Sequence, residues 1–197
     1  MPHKDEPRTQ AQRTAETRAK LLDAARALFV EHGFSETGTP QIVVKAGITR
    51  GALYHHFADK RALFLTLVRQ ESAAVAAAIE AATAGISDPD QALQTGIDAY
   101  FDAMAVHGRA RLLLAEAPAV LGYALQTELT HTQGGDQLAE GLARALPQLD
   151  APTRAALTDV LSAAFDRAAL AIAENRDRSA YAEALKRLIG RLTEQRN

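Results

Sequence analysis

Residues 50–55 hold Arg50, Gly51, Tyr54 and His55, which together offer a fork of donors, bare backbone, a phenol and an imidazole. This set suits a DNA groove. Arg50 can reach guanine O6 and N7 or a phosphate, and Gly51 and Ala52 let backbone come close. At 100° per residue Leu53 and Phe57 fall on one helical face, while Gly51, Ala52, Tyr54 and His55 fall on the others. The first pair is expected to anchor and the second group to be presented.

Other chemistries are weighed against this one. His55 and His56 would suit a metal pair, but neighbours on a helix diverge by 100° and no third ligand lies nearby in sequence, so phosphate or base contact is preferred and no metal or cofactor is expected. His56 has packing as an equal alternative. Asp98, Asp102 and Glu116 could pair for acid–base work. Surface helices carry such charges routinely, and the chain has no Gly-x-Ser-x-Gly elbow, phosphate loop or His-Glu-x-x-His, so no enzyme is expected. Asp166-Arg167 interrupts the apolar run from Ala155 to Ala173 and reads either as a solvated edge or as a polar anchor in a ligand cavity or dimer seam.

The elements that must position the presented group are short. Thr39 is expected to cap a helix with Pro40 in its first turn, and Gly47 to end it. Thr49 caps the next helix across the tight Ala46-Gly47-Ile48 turn, as in a helix-turn-helix. Before them a helix from about Thr9 runs to His32, closed by Gly33. After them Asp59 caps a helix reaching about Ala84. Met1 to about Gln10 reads as a disordered polar tail, with a basic arm through Lys4 and Arg8 as the lesser reading.

Gly33–Lys60 resembles the N-terminal domain of the TetR (tetracycline-repressor-like) family of bacterial transcription regulators. The matching residues are Leu28-Phe29, Gly33-Phe34, Thr37, Ile42, Ala46-Gly47-Ile48-Thr49, Gly51-Ala52-Leu53-Tyr54, His56-Phe57 and Lys60-Arg61-Ala62-Leu63-Phe64, in order and without gaps. Gly38, Thr39 and Val43 depart from the usual pattern. The segment RLLLAEAPAVLGY is similar, more weakly, to one in the C-terminal domain of a subgroup. The resemblance implies an all-α fold of about nine helices, with a three-helix DNA-binding domain at 9–60 and a ligand-binding and dimerisation domain at 61–197. It implies DNA contacts from Thr39, Gln41, Lys45, Thr49, Arg50, Gly51, Tyr54, His55, His56 and Lys60, the last holding a phosphate at a helix start.

Asp88-Pro89 opens a helix to about Val106 that carries Leu93, Ile97, Tyr100, Phe101 and Met104. Arg109–Glu116 is expected to be a short helix broken by Pro118. Gly122 onward reads as helical, interrupted at Gly134-Gly135 and ending near Pro147. Two helices close the chain, from Asp150 or Thr153 to about Asn175 and from about Ser179 to Glu194. Their wide apolar stripe needs a partner face. The resemblance implies a homodimer through them, with Leu157, Leu161, Ala164, Ala168, Tyr181, Leu185, Leu188 and Leu192 at the interface. It also implies a cavity in the C-terminal domain, for which Tyr100, Phe101, Met104, Tyr123, Phe165 and Asp166 are the candidates.

Composition bounds these readings. The 197 residues hold no cysteine, which excludes disulfides and cysteine metal sites, and carry a net charge of −2. Lys and Arg number 9 against 7 Asp and Glu through Lys60, and 13 against 17 beyond it, so the head is +2 and the body −4. Phosphate contacts must then be few and local. No apolar run is expected to reach the roughly 20 residues of a membrane span, and no signal peptide is read, so a cytoplasmic protein without a membrane partner is expected. The leading functional reading is a homodimeric repressor released from operator DNA by a small, mainly apolar, aromatic or acyl effector. The alternative is a DNA-binding protein whose body binds a protein partner or no inducer.

Overall fold

A computed structural model describes residues 9–122 and 134–194; Tyr123, the helical reading just beyond Gly122 and the N-terminal tail fall outside the described residues. Nine helices and no strand are present among the described residues. The chain forms two compact units, divided between Leu67 and Val68.

The first unit begins with α1 (Gln10–Glu36), opened by a reciprocal cap in which the Thr9 hydroxyl accepts from Gln12 N–H and the Gln12 side chain accepts from Thr9 N–H. Gly33 breaks the helix at φ 79°, as expected for a glycine cap, but one further turn carries the chain to Glu36. The buried Thr37 hydroxyl closes that turn by donating to Gly33 O at 2.8 Å. α2 (Thr39–Ala46) ends at Gly47 in the left-handed region, φ 65°. Its cap is Gly38 rather than Thr39: Gly38 N–H is taken by the Gln41 side chain at 2.6 Å, while the Thr39 hydroxyl turns to Tyr54 Oη at 3.4 Å. α3 (Arg50–His56) opens on Thr49, whose hydroxyl accepts from Ala52 N–H. Leu53 on α3 and Ile42 on α2 are fully buried. Phe29, Phe34 and the buried Phe64 form a cluster with ring centres 5.0–5.6 Å apart. Phe64 and Leu63 come from the first turns of α4 (Lys60–Thr83), capped by Asp59, so the head's core reaches into that helix.

α4 is long and apolar enough, by length and composition, to cross a membrane, with mean hydropathy 1.4 over its most apolar stretch, so the expectation of no such run does not hold. Of that stretch 44% is buried within the fold.

The second unit holds α5 (Pro89–Met104), capped by Asp88, and then a helical run over 109–121, here α6. Pro118 does not break α6. Its middle, Leu112–Glu116, is π-wound, with Ala117 N–H reaching back to Leu112 O, and Pro118 then falls in the first turn of the α-helical segment Ala117–Leu121. The wide turn accommodates the missing proline N–H while Leu112, Leu113 and Leu114 all stay buried. α7 (Asp136–Ala145), α8 (Ala151–Ala173, capped by Asp150) and α9 (Arg178–Glu194) complete the unit. Asp98 pairs with Lys186 at 2.7 Å, and Asp102 pairs with Arg178, so these carboxylates tie α5 to α9; Glu116 pairs with Arg111 at 3.2 Å. The three acid–base candidates thus each face a different cation.

Candidate functional site

In the first unit α3 buries Leu53 and the adjoining Phe57 and turns Arg50, Gly51, Tyr54 and His55 to solvent. A Cβ added at Gly51 would meet nothing within 4 Å, so its bare backbone meets no packing need inside the protomer and is open to a partner. Arg50 lies over the Tyr54 ring with its Cζ 5.6 Å from the centroid. The Thr39 hydroxyl first, then Arg50, hold the Tyr54 phenol below its usual range, so its O–H is a better donor than a free phenol. Thr39 is half-buried, and Gln41, Lys45 and Thr49 are exposed. Val44, on α2 beside Lys45, is 81% exposed, an apolar side chain on this surface that the sequence alone does not single out. His56 is half-buried, its ring edge-on to that of His55 at 5.3 Å. No group of three potential metal ligands occurs among the described residues.

Lys60 departs from the expected free phosphate contact. Its ammonium donates to Phe34 O at 2.8 Å and Thr37 O at 2.9 Å and sits 4.1 Å from the Phe34 ring centre. Two of its three donors therefore clamp the end of α1, satisfying carbonyls that the helix leaves open. Lys60→Met is expected to cost about 2–3 kcal/mol of stability, on the scale of charge-assisted hydrogen bonds, read as a shift in the urea midpoint.

The second unit contains a cavity of about 500 Å³. Tyr100, Phe165 and Asp166 of the candidate ligand set line it; Phe101 and Met104 are buried in the adjoining core and do not. Ile79 from α4 and Gln137, Gly141 and Arg144 from α7 complete walls of which the local sequence gives no sign. Tyr100 donates its hydroxyl to Asp166 Oδ1 at 2.9 Å. Burial raises the Asp166 carboxyl to about 6, against the lowering effect of the Tyr100 hydrogen bond. Burial and then the Asp166 charge push the Tyr100 phenol well above its usual range.

Residues 21–67 match the bacterial regulatory proteins of the TetR family. Residues 90–195, more than half of the chain, match the tetracyclin repressor-like C-terminal domain. The chain belongs to the TetR family. A TetR-family regulator from Pectobacterium atrosepticum is 28% identical, with a TM-score of 0.70 over 94% of this chain and 95% of that one. An HTH-type transcriptional repressor from Mycobacterium tuberculosis is 37% identical over 71 residues, 36% of this chain. An HTH-type transcriptional activator from Mycolicibacterium smegmatis is 31% identical over 87 residues, 44% of this chain. The chain covers only 38% and 40% of the length of these two curated relatives. TetR-family membership places the chain among bacterial regulatory proteins.

The last two helices of this TetR-family chain divide the residues expected at a dimer seam. Leu161, Ala168 and Leu185 are buried within the protomer's own core, while Leu157, Ala164, Tyr181 and Leu192 are half-buried. Leu188 and Val160 stay 48% and 64% exposed. Part of the stripe is thus spent inside the protomer, and its outer edge stays exposed.

Proposed function

We propose that this protein is a DNA-binding transcriptional regulator, a homodimeric repressor whose operator affinity falls when a small, mainly apolar ligand occupies the cavity of the second unit. The observation that carries the reading is the α3 surface of Arg50, Gly51, Tyr54 and His55, presented to solvent by a helix-turn-helix that buries Ile42, Leu53 and Phe57 inside. Gln41, Lys45, Thr49 and the half-buried Thr39 supply backbone contacts around it, and half-sites one helical turn, roughly 34–36 Å, apart would be read by two copies. The test begins with selection of bound duplexes from random DNA, then anisotropy titration of the selected site. Arg50→Ala is expected to cost about 1–3 kcal/mol of binding and to relax specificity at one base pair. Wild-type affinity and sequence preference in that variant would remove Arg50 from base readout.

Pairing of two copies is expected through the outer edge of α8 and α9. Val160, Ala163 and Leu188 offer small and apolar groups on an exposed face, with Tyr181 and Leu192 at its margin. Leu188→Glu combined with Val160→Glu is expected to raise the dimer dissociation constant at least a hundredfold, because two charges per copy would be buried without partners. Light scattering against concentration reads this, and an unchanged dimer would place the interface elsewhere.

Release requires that the ligand bind the DNA-incompetent arrangement more tightly, by about 2.7 kcal/mol for a hundredfold loss of operator affinity. Ligands that raise the melting temperature yet leave operator affinity unchanged would favour a body without an inducer role.

A further inference from the structure

The cavity walls are chemically one-sided. Among the described residues that line it, the ionisable side chains besides Tyr100 are Glu80, Glu140, Asp166 and Arg144. Arg144 is already engaged, its Nη2 donating to Ile86 O at 3.3 Å and Ser87 O at 3.0 Å. Asp166 lies between apolar walls, with Tyr100 as its hydrogen-bond donor. Gln137 supplies a second acceptor, because its Oε1 is buried, lines the same cavity and has no hydrogen-bond partner. Two acceptors short of donors, one of them a carboxylate, are complementary to positive charge and N–H groups. Beside them stand the rings of Tyr100 and Phe165, packed edge to face with centroids 5.4 Å apart, and aromatic rings attract cations as well as apolar surface.

We infer that the cavity takes a lipophilic cation, an amine whose ammonium sits between Asp166 and Gln137 Oε1 and whose apolar body lies against Ile79, Ile97 and Phe165. The inference rests on the ligand-binding role given to this cavity under the proposed function and narrows it. An acyl carboxylate would meet the Asp166 charge, and the one cation among the described lining residues, Arg144, is exposed and tied through Nη2 to Ile86 O and Ser87 O. A neutral apolar molecule would leave the Asp166 and Gln137 oxygens buried and short of donors. At neutral pH a carboxyl that titrates at about 6 is charged, so the ion pair is available where the protein works.

The test uses the full chain and three compounds that share one apolar body: phenylbutylamine, phenylbutanol and phenylbutyrate, titrated by calorimetry at pH 7.5. The amine is expected to bind at least tenfold more tightly than the alcohol, and the acid more weakly than both. In Asp166→Asn the amine and alcohol should bind alike, the Tyr100 hydroxyl retaining an acceptor so that the fold is kept. Tyr100→Phe keeps the carboxylate and should keep the amine preference. An acid or alcohol that matches or outranks the amine overturns the charge assignment while leaving the cavity as a ligand site. An amine preference that survives Asp166→Asn overturns the role of Asp166. Failure of all three compounds to bind overturns the assignment together with the cavity reading beneath it.

Discussion

Glu71→Ala is expected to lower the unfolding free energy by about 3–5 kcal/mol, the usual cost of stranding one member of a buried ion pair. Glu71 Oε2 accepts from Arg109 Nε at 2.6 Å, and both side chains are close to nine-tenths buried, at 11% and 12% exposure. Arg109 also donates through Nη1 to Ala103 O at 2.7 Å, which fixes the guanidinium in the turn between α5 and α6. With the carboxylate gone, that charge keeps its burial and loses its counter-ion. Urea denaturation of Glu71→Ala, Glu71→Gln and the double variant Glu71→Leu with Arg109→Met separates the causes. Glu71→Gln should fall between wild type and Glu71→Ala, and the double variant should recover most of the loss because no charge remains to strand. A double variant as unstable as Glu71→Ala would mean that packing, and not charge, set the cost.

Asp166→Asn is expected to act in the opposite direction, stabilising the protein by up to about 3 kcal/mol at pH 7.5. The folded state holds the Asp166 proton up to about pH 6, whereas the unfolded chain releases it near 3.8. A carboxyl raised on folding makes the native state the better proton binder, so stability is highest below the unfolded value and declines as pH rises through the folded one. Above about 6 the full cost of burying the charge is present, and the amide removes it. Near pH 4 the carboxyl is protonated in the native state and the advantage of the amide should nearly vanish. Glu80, Glu140 and Arg144 face the same cavity in both proteins, and the Tyr100 phenol, pushed well above its usual range by burial first, stays neutral at both pH values. Chemical denaturation of both chains at pH 7.5 and 4 reads it, and equal stability at 7.5 would mean that Asp166 is solvated better than its burial implies.

The helix ends were legible because their signals are local. Thr49, Asp59 and Asp88 cap the helices they were expected to cap, Thr9 and Asp150 cap helices expected to begin near them, and Gly33 and Gly47 take a positive φ. Pro118 misled because a proline marks a break only if the winding stays α, and the pull on three consecutive leucines toward one core acts from outside the segment. Gly38 displaced Thr39 as cap because the Thr39 hydroxyl has a better use against Tyr54, fifteen positions away. Lys60 was drawn to Phe34 O and Thr37 O, which lie 26 and 23 positions back and leave no mark on local pattern. Tyr100 and Phe165 were singled out from the sequence as core or cavity without a way to separate the two; Gln137 and Arg144 were not singled out, because they reach the cavity only through the packing of α7 on α5 and α8.

The π-wound turn in α6 amounts to one residue more than an α-helix would hold over the same span. Each residue in an α-helix advances the winding by about 100°. Wound as plain α, the same residues would carry Ala117 and Leu121, both buried, about 100° past the side they now face. The π turn takes up that surplus, so the helix beyond it keeps the phase of an α-helix one residue shorter. Take one residue out of 112–116 and α6 could wind as plain α with Leu121 still turned to its buried side. The segment carries a one-residue surplus whose cost the fold confines to a single turn. Plain α winding of all of Leu112–Glu116, more than the loss of one of its residues, is what the second unit cannot accommodate.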